Sequence, residues 1–256
     1  QLAGAIETSR LFEATQRRAA ELATVAEVGT AISTLRNPEE MLQAVVDLTK
    51  ERFRLYHAHV YLLNAEGDTL VLTAGAGEVG QRMVAEGRRI PLARRQSLVA
   101  QAARERRAVM VNDVRQDPNF LPHPLLPETR AELAAPLLMG GQMLGVLDVQ
   151  AAEVGCFTEA DANIQTALAA QVAVALENAR TFALSEKAYR ELNALARRLS
   201  RESWQTYTQT QAPQARAFVY DLGQVQPVQA VATPERAALD GDLVLPLQVQ
   251  GEAIGQ

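Results

Sequence analysis

The chain has 256 residues, 48% of them hydrophobic and 21% charged, with a formal net charge of -5. That balance belongs to a globular protein; it excludes a disordered segment, and no apolar run approaches the roughly 18 uncharged residues of a membrane helix. The acidic charge offers no general attraction for nucleic acid or an acidic membrane, so neither is expected as a partner, and the lone cysteine, Cys156, excludes an internal disulfide framework or a cysteine-rich zinc site.

In chain order, residues 5 to 35 read as helix, stopped by Asn37-Pro38. Leu11, Thr15, Arg18, Leu22, Val25, Gly29 and Ile32 form a heptad interrupted by Arg18 and Gly29. A second helix starts near Pro38, with Glu39 and Glu40 in the first turn and Met41, Val45, Leu48 and Phe53 as its buried stripe. His59 to Leu63 and Thr69 to Thr73, joined by Ala65-Glu66-Gly67-Asp68, read as a β-hairpin. Ser97 is placed to cap a short helix reaching Arg106, and Ala108 to Val111 is a strand ending at Asn112-Asp113. Residues 115 to 132 hold Pro122, Pro124 and Pro127 and should be irregular; residues 133 to 150 should be a hairpin turning at Gly140-Gly141. From Thr158, with Asp161 completing a capping box, a helix should run to about Trp204. Its four-three seam is Ile164, Leu168, Gln171, Ala175, Asn178, Phe182, Ser185, Tyr189, Leu192, Ala196 and Leu199. This order predicts an α+β fold with an antiparallel sheet.

Two internal repeats bear on domain organisation. Ala5-Ile6-Glu7-Thr8-Ser9-Arg10-Leu11-Phe12 recurs as Ala175-Leu176-Glu177-Asn178-Ala179-Arg180-Thr181-Phe182, and Pro136-Leu137 through Gly145 recurs as Pro246-Leu247 through Gly255. The distance from Leu22 to Pro136 is more than twice that from Leu192 to Pro246, so a downstream copy would be abbreviated. The expected organisation is an entry helix over 1–37 (the tail of an upstream unit), a sensory domain over 38–165, an exit helix or coiled coil over 166–205, and a partial unit over 206–256. With Gln1 in first place and no signal-peptide pattern, the chain is expected to be an internal, cytoplasmic part of a longer protein.

Four pieces together resemble a GAF domain of the bacterial signalling type across about residues 38 to 182: Ile90-Pro91-Leu92; Val111-Asn112-Asp113-Val114 with Asp117-Pro118-Asn119-Phe120; Pro136-Leu137 through Gly145-Val146-Leu147; and Phe157-Thr158-Glu159-Ala160-Asp161 opening a long helix. The resemblance implies a six-stranded antiparallel sheet with helices on its faces, flanked by long signalling helices. One face would pack on the terminal helices and the other would carry a pocket closed by residues 112–132. It further implies the context of a multi-domain signalling protein: a sensor histidine kinase of a two-component system, a cyclase-type enzyme or a transcription regulator. Nucleotide-binding relatives carry an acidic residue where Ala162 stands and an Asn-Lys before the signature, and both are missing here; the related methionine-sulfoxide reductases use several cysteines.

No phosphate loop, metalloprotease helix or serine-hydrolase elbow is present, so the chain is expected not to be an enzyme. On the pocket rim that the resemblance implies, Asp113, Asp117 and Phe120 either contact a ligand or make turns, with Arg130 and Glu132 as further polar candidates. His123 is a pocket ligand or a solvated loop residue; His57 and His59, two apart, are a metal or haem pair or ordinary edge residues. Cys156 is expected to be buried. Between positions 80 and 107, Arg82, Arg88, Arg89, Arg94, Arg95, Arg104, Arg106 and Arg107 either hold an anion or form a solvated face. Leu168, Ala175, Phe182, Tyr189, Leu192 and Leu199 are expected to form the dimer and signalling helix. The leading expectation is a non-catalytic module that senses an unidentified small molecule and homodimerises, with no cofactor assigned. The alternatives are a ligand-free scaffold, or the input region of a histidine kinase with its catalytic part elsewhere.

Overall fold

In the computed structural model, residue 23, residues 25–211 and four short strands beyond them are described. The expectation about an upstream unit, and the heptad positions Leu11 to Leu22, lie outside the described residues. The chain divides into two compact units, Gln1–Ala183 and Leu184–Gln256.

The first unit is a six-stranded antiparallel sheet with helices on both faces. Helix α1 covers residues 25–33, and α2 covers Pro38–Arg52. The side chain of Asn37 caps α2 by accepting from the backbone amides of Glu39 (2.8 Å) and Glu40 (3.4 Å), with proline in the first turn. Strands β1 (His57–Leu63) and β2 (Thr69–Gly75) form the first hairpin. Helix α3 (Gly77–Ala85) and strand β3 (Arg89–Pro91) follow, then α4 (Leu98–Glu105), capped by Ser97, and β4 (Val109–Val111). After an irregular stretch, β5 (Ala131–Met139) and β6 (Gln142–Ala151) make the second hairpin. Its turn is Gly140-Gly141, both at positive φ (56° and 81°), the backbone a two-residue hairpin turn requires.

The strand order is β3-β2-β1-β6-β5-β4, which puts β1 and β6 at the centre. Here the cross-strand backbones leave no room at Gly145: a methyl group there would run into the Tyr61 carbonyl oxygen. Gly145→Ala should therefore lower the stability of this unit by about 1–3 kcal/mol, read as an earlier thermal unfolding midpoint.

One sheet face is sealed by Val28 and Ile32 of α1, Met41 and Val45 of α2, and Leu168 and Leu176 of helix α5 (Glu159–Gln211). Alternate side chains of the central strands, such as Val60, Leu133 and Leu147, meet them. The α5 start is a reciprocal box: Thr158 amide and hydroxyl both donate to Asp161 Oδ2 (2.8 and 2.6 Å), and the Asp161 amide donates back to Thr158 Oγ1 (3.3 Å). The helix extends to Gln211, past the expected end near Trp204, and the second unit begins within it. That unit also holds two hairpins, β7 (Arg216–Asp221) with β8 (Gln224–Gln229) and β9 (Leu247–Val249) with β10 (Glu252–Gly255). The second pairs the residues that repeat the β5–β6 pattern. Among the described residues no helix is long and apolar enough to cross a membrane.

Candidate ligand site

The opposite face of the sheet is covered by α3, α4 and the 112–130 connection. Leu70, Leu72, Met83, Ile90, Leu98 and Leu126 supply much of its apolar packing. Into this layer the central strands insert polar side chains. Because side chains alternate along a strand, His57, His59 and Tyr61 of β1 share this face, as do Asp148 and Gln150 of β6 and Glu132 of β5. Register aligns them: His57, Gln150 and Glu132 occupy one rung across three strands, and His59 and Asp148 are paired on the next. All six are buried.

Their hydrogen bonds form a short chain. The Asp148 Oδ2 atom is 3.2 Å from His59 Nδ1 and accepts from Gln150 Nε2 at 2.9 Å, while Thr129 Oγ1 donates to Gln150 Oε1 at 2.7 Å. The His57 and His59 rings are tilted with centroids 4.3 Å apart. Three buried atoms of the group, His57 Nε2, His59 Nε2 and Asp148 Oδ1, have no partner in that chain, and the Asp148 side chain is also hydrogen-bonded with the Glu132 carboxyl. Native interiors give almost all such atoms a hydrogen bond, from protein, from ordered water or from a bound group.

Burial dominates the electrostatics. Desolvation, then the positive potential of His59, Lys50 and His123, brings the His57 pKa down to about 3. Desolvation and the Asp148 carboxylate hold the Glu132 carboxyl well above its usual range, with Arg88 opposing. The Tyr61 hydroxyl is also pushed up by burial and accepts a hydrogen bond from Arg88 Nε at 3.2 Å. Of the arginine-rich stretch, Arg88 turns toward this face. Arg82 pairs with Glu86, Arg107 with Glu105, and Arg104 and Arg106 bind backbone carbonyls, the last that of Gly141.

The residues expected at the pocket rim separate. Glu132 is inside the cluster. Asp117 is near enough for its charge to act on Glu132, and its side chain accepts from the Asn119 amide at 2.7 Å. Phe120 packs against the apolar layer, and His123 takes the Leu125 amide on Nδ1 at 3.3 Å. Asp113 faces away into a pair with Arg115 (2.9 Å), which lowers its pKa to about 2, and also bonds Gln116. Arg130 folds back on the carbonyls of Pro127 and Thr129, closing the connection.

Three expectations need correction. His57 and His59 are not edge residues: β1 lies at the sheet centre, where both faces are covered. Cys156 is exposed, since it sits in the loop between β6 and α5. Leu168, expected on the dimer seam, is buried against the chain's own sheet. Ala175 is part-buried against that core, and Phe182 has the Arg36 guanidinium 4.6 Å above its ring. Tyr189, Leu192 and Leu199 are exposed, at 67%, 65% and 52%. Sequence reasoning also passed over Asp148, Gln150, Thr129 and Tyr61. The available signal was a charged residue within the apolar run Val146-Leu147-Asp148-Val149, an interruption a central strand tolerates poorly.

Two cavities lie elsewhere. A groove of about 970 Å³ runs between α1 and α5, lined by Thr30, Ser33, Val174 and Asn178 among others; a recess of about 370 Å³ is lined by Arg54, Tyr56, Cys156 and Gln165. Among the described residues no group of three or more His, Cys, Asp or Glu side chains is placed to hold a metal ion.

Comparison with solved structures returns the same architecture. The free methionine-R-sulfoxide reductase of Neisseria meningitidis, solved with its substrate, superposes with a TM-score of 0.56 at 24% identity, over 64% of this chain and 93% of that one. The GAF domain of a phosphoenolpyruvate-protein phosphotransferase from Coxiella burnetii gives 0.58 at 20% identity, over 64% and 96%. A GAF sensor protein described as putative, from Burkholderia vietnamiensis, gives 0.54 at 23% identity, over 64% and 98%. Identities this low bear on fold alone. A search of curated proteins returns no match. Residues 36–177, more than half of the chain, match the GAF domain family, whose members are typically sensory or regulatory parts of signalling proteins; the chain belongs to the GAF domain family.

Proposed function

We propose that the chain is a non-catalytic sensory and dimerisation module, in which a small molecule on the polar face of the sheet changes the packing of α5 and of a second copy against it. The observation that carries this reading is a buried cluster of histidine, carboxyl and amide side chains on a face otherwise built as a core. A purely structural sheet gains nothing by burying two histidines and two carboxyl groups there.

A route from that face to α5 exists in the 112–130 connection. Asn112 opens it, and its side chain grips the backbone of Phe157 on both sides, donating to the carbonyl (2.8 Å) and accepting from the amide (3.0 Å). Phe157 is buried in the opposite core, directly before the α5 cap. A shift of the connection therefore reaches the start of α5 through a rigid, two-point contact. Farther along, Leu184, Tyr189, Leu192, Leu195 and Leu199 expose apolar surface at helical spacing, which suits a parallel partner helix.

The test uses cross-linking through Leu199→Cys in a Cys156→Ser background, with native mass spectrometry to detect co-purified molecules. Occupancy should change the rate of disulfide formation between copies, and Asn112→Ala should retain binding while reducing that change. A cross-linking rate indifferent to every bound molecule would defeat the signalling part of the reading. The competing reading, a ligand-free scaffold, draws on the dense apolar packing around the cluster; it requires that nothing binds and that the cluster carries bound water.

A further inference from the structure

Apart from the polar face, we propose that the recess at the start of α5 binds a neutral ring compound through an amide group, which pairs with the side chain of Gln165. The recess, about 370 Å³, lies where β1 begins and β6 ends. Residues 53–56, the loop before α5 and the first turns of that helix enclose it, and it shares no residue with the polar face. Its volume suffices for one small ring compound. Phe53, Leu55, Tyr56 and Phe157 give it apolar and aromatic walls.

Gln165 is the polar lining residue withdrawn from solvent, at 2% exposure. Its Oε1 is buried without a hydrogen bond, and neither end of the amide bonds another described residue. A side-chain amide sets an acceptor beside a donor, whichever way it is turned. One group meets both at once: a second amide, with its N–H beside its C=O. Charges keep to the rim, where Arg54 and Glu153 are exposed and Asp161 Oδ2 is held by Thr158. A carboxylate or ammonium carried down to Gln165 would lose its hydration against apolar walls, with its counter-charges left outside. Burial, then the negative potential of Asp161 and Glu153, pushes the Cys156 thiol up, and the same potential disfavours an anion at that wall. Water alone would satisfy the amide and leave the aromatic walls wet; a ring carrying the amide covers both.

The test uses the native Cys156, the chain's one cysteine, which lines the recess and is exposed. Its alkylation by N-ethylmaleimide is followed by mass spectrometry on the wild-type chain. The reaction is run alone and with benzamide, 2-pyridone, N,N-dimethylbenzamide, benzoate or benzylamine. Benzamide and 2-pyridone should slow it saturably, and the other three should not. Protection by either supports the proposal, and the tighter binder shows whether a carboxamide or a lactam is preferred. Gln165→Leu removes a buried amide that has no partner, so the fold should tolerate it. That variant should bind the protecting amide at least about tenfold more weakly, the scale of a buried hydrogen-bonding group left unpaired. Should it not fold, the wild-type contrast between benzamide and its N,N-dimethyl form decides alone. Absence of protection, equal protection by all five compounds, or unchanged protection in Gln165→Leu overturns the proposal. Each of these results would leave the sensory reading of the polar face intact.

Discussion

Replacing Leu168 by alanine is expected to lower the unfolding free energy of the sheet-bearing unit by about 3–5 kcal/mol. Leu192→Ala should change it by less than about 0.5 kcal/mol. The two leucines sit on the same helix and the same four-three seam, yet Leu168 is 0% exposed and Leu192 65%. Leu168 is pressed between the strands and α2, in a cluster with Met41, Val45, Leu133 and Leu147. Truncating it opens a cavity that surrounding β-strands, fixed by hydrogen bonds on both sides, close poorly. Leu192 meets solvent within its own chain, so its truncation should instead weaken self-association. Denaturant unfolding at constant slope measures the first effect; sedimentation across a concentration series measures the second. Equal losses of stability in the two variants would mean that the division of α5 into a core part and an exposed part is wrong.

That division explains much of what was and was not legible in the sequence. Heptad spacing reports that a helix has an apolar stripe, not what covers it; the chain's own sheet and a partner helix ask for the same residues at nearly the same period. Local signals read well because their physics is local. Asn37-Pro38, Ser97 and Thr158 with Asp161 each cap a helix, and Gly140-Gly141 makes a turn that other residues adopt only under strain. Helix α3 had no such signal: Ala76 provides no side-chain cap, and Gly77 and Gly80 lie within the helix itself. The polar face was the least legible of all. Whether His57 and His59 are edge residues or buried depends on β1 pairing with β6, nearly ninety positions away along the chain. Nothing in the residues around His57 encodes that neighbour. Glu132 was found because the family resemblance implied a pocket there, whereas Asp148, lying in a strand assigned by its apolar residues, was absorbed into the hairpin.

The buried acid and histidine should give the fold a stability profile with two opposed limbs. His57 has a folded pKa near 3 against 6.5 when exposed, so the unfolded chain takes up this proton first. The stability it confers is complete above pH 6.5 and is lost as pH falls toward 3, by on the order of a few kcal/mol. Glu132 works the other way. Its folded pKa is raised above 4.5, so its contribution is complete below 4.5 and is lost as pH rises through the folded value. Between 4.5 and 6.5 the two slopes oppose each other, and below 4.5 the histidine limb acts without that opposition. His57→Gln should therefore flatten the acid limb, and Glu132→Gln should flatten the alkaline limb and raise stability there. Ion-paired surface carboxylates such as Asp113, lowered to about 2 by Arg115, add their own acid losses, but equally in wild type and variants. The informative quantity is thus the difference between each variant and the wild type, followed by thermal unfolding from acid to alkaline pH. Parallel profiles for His57→Gln and wild type would show that burial does not lower the His57 pKa in the folded chain.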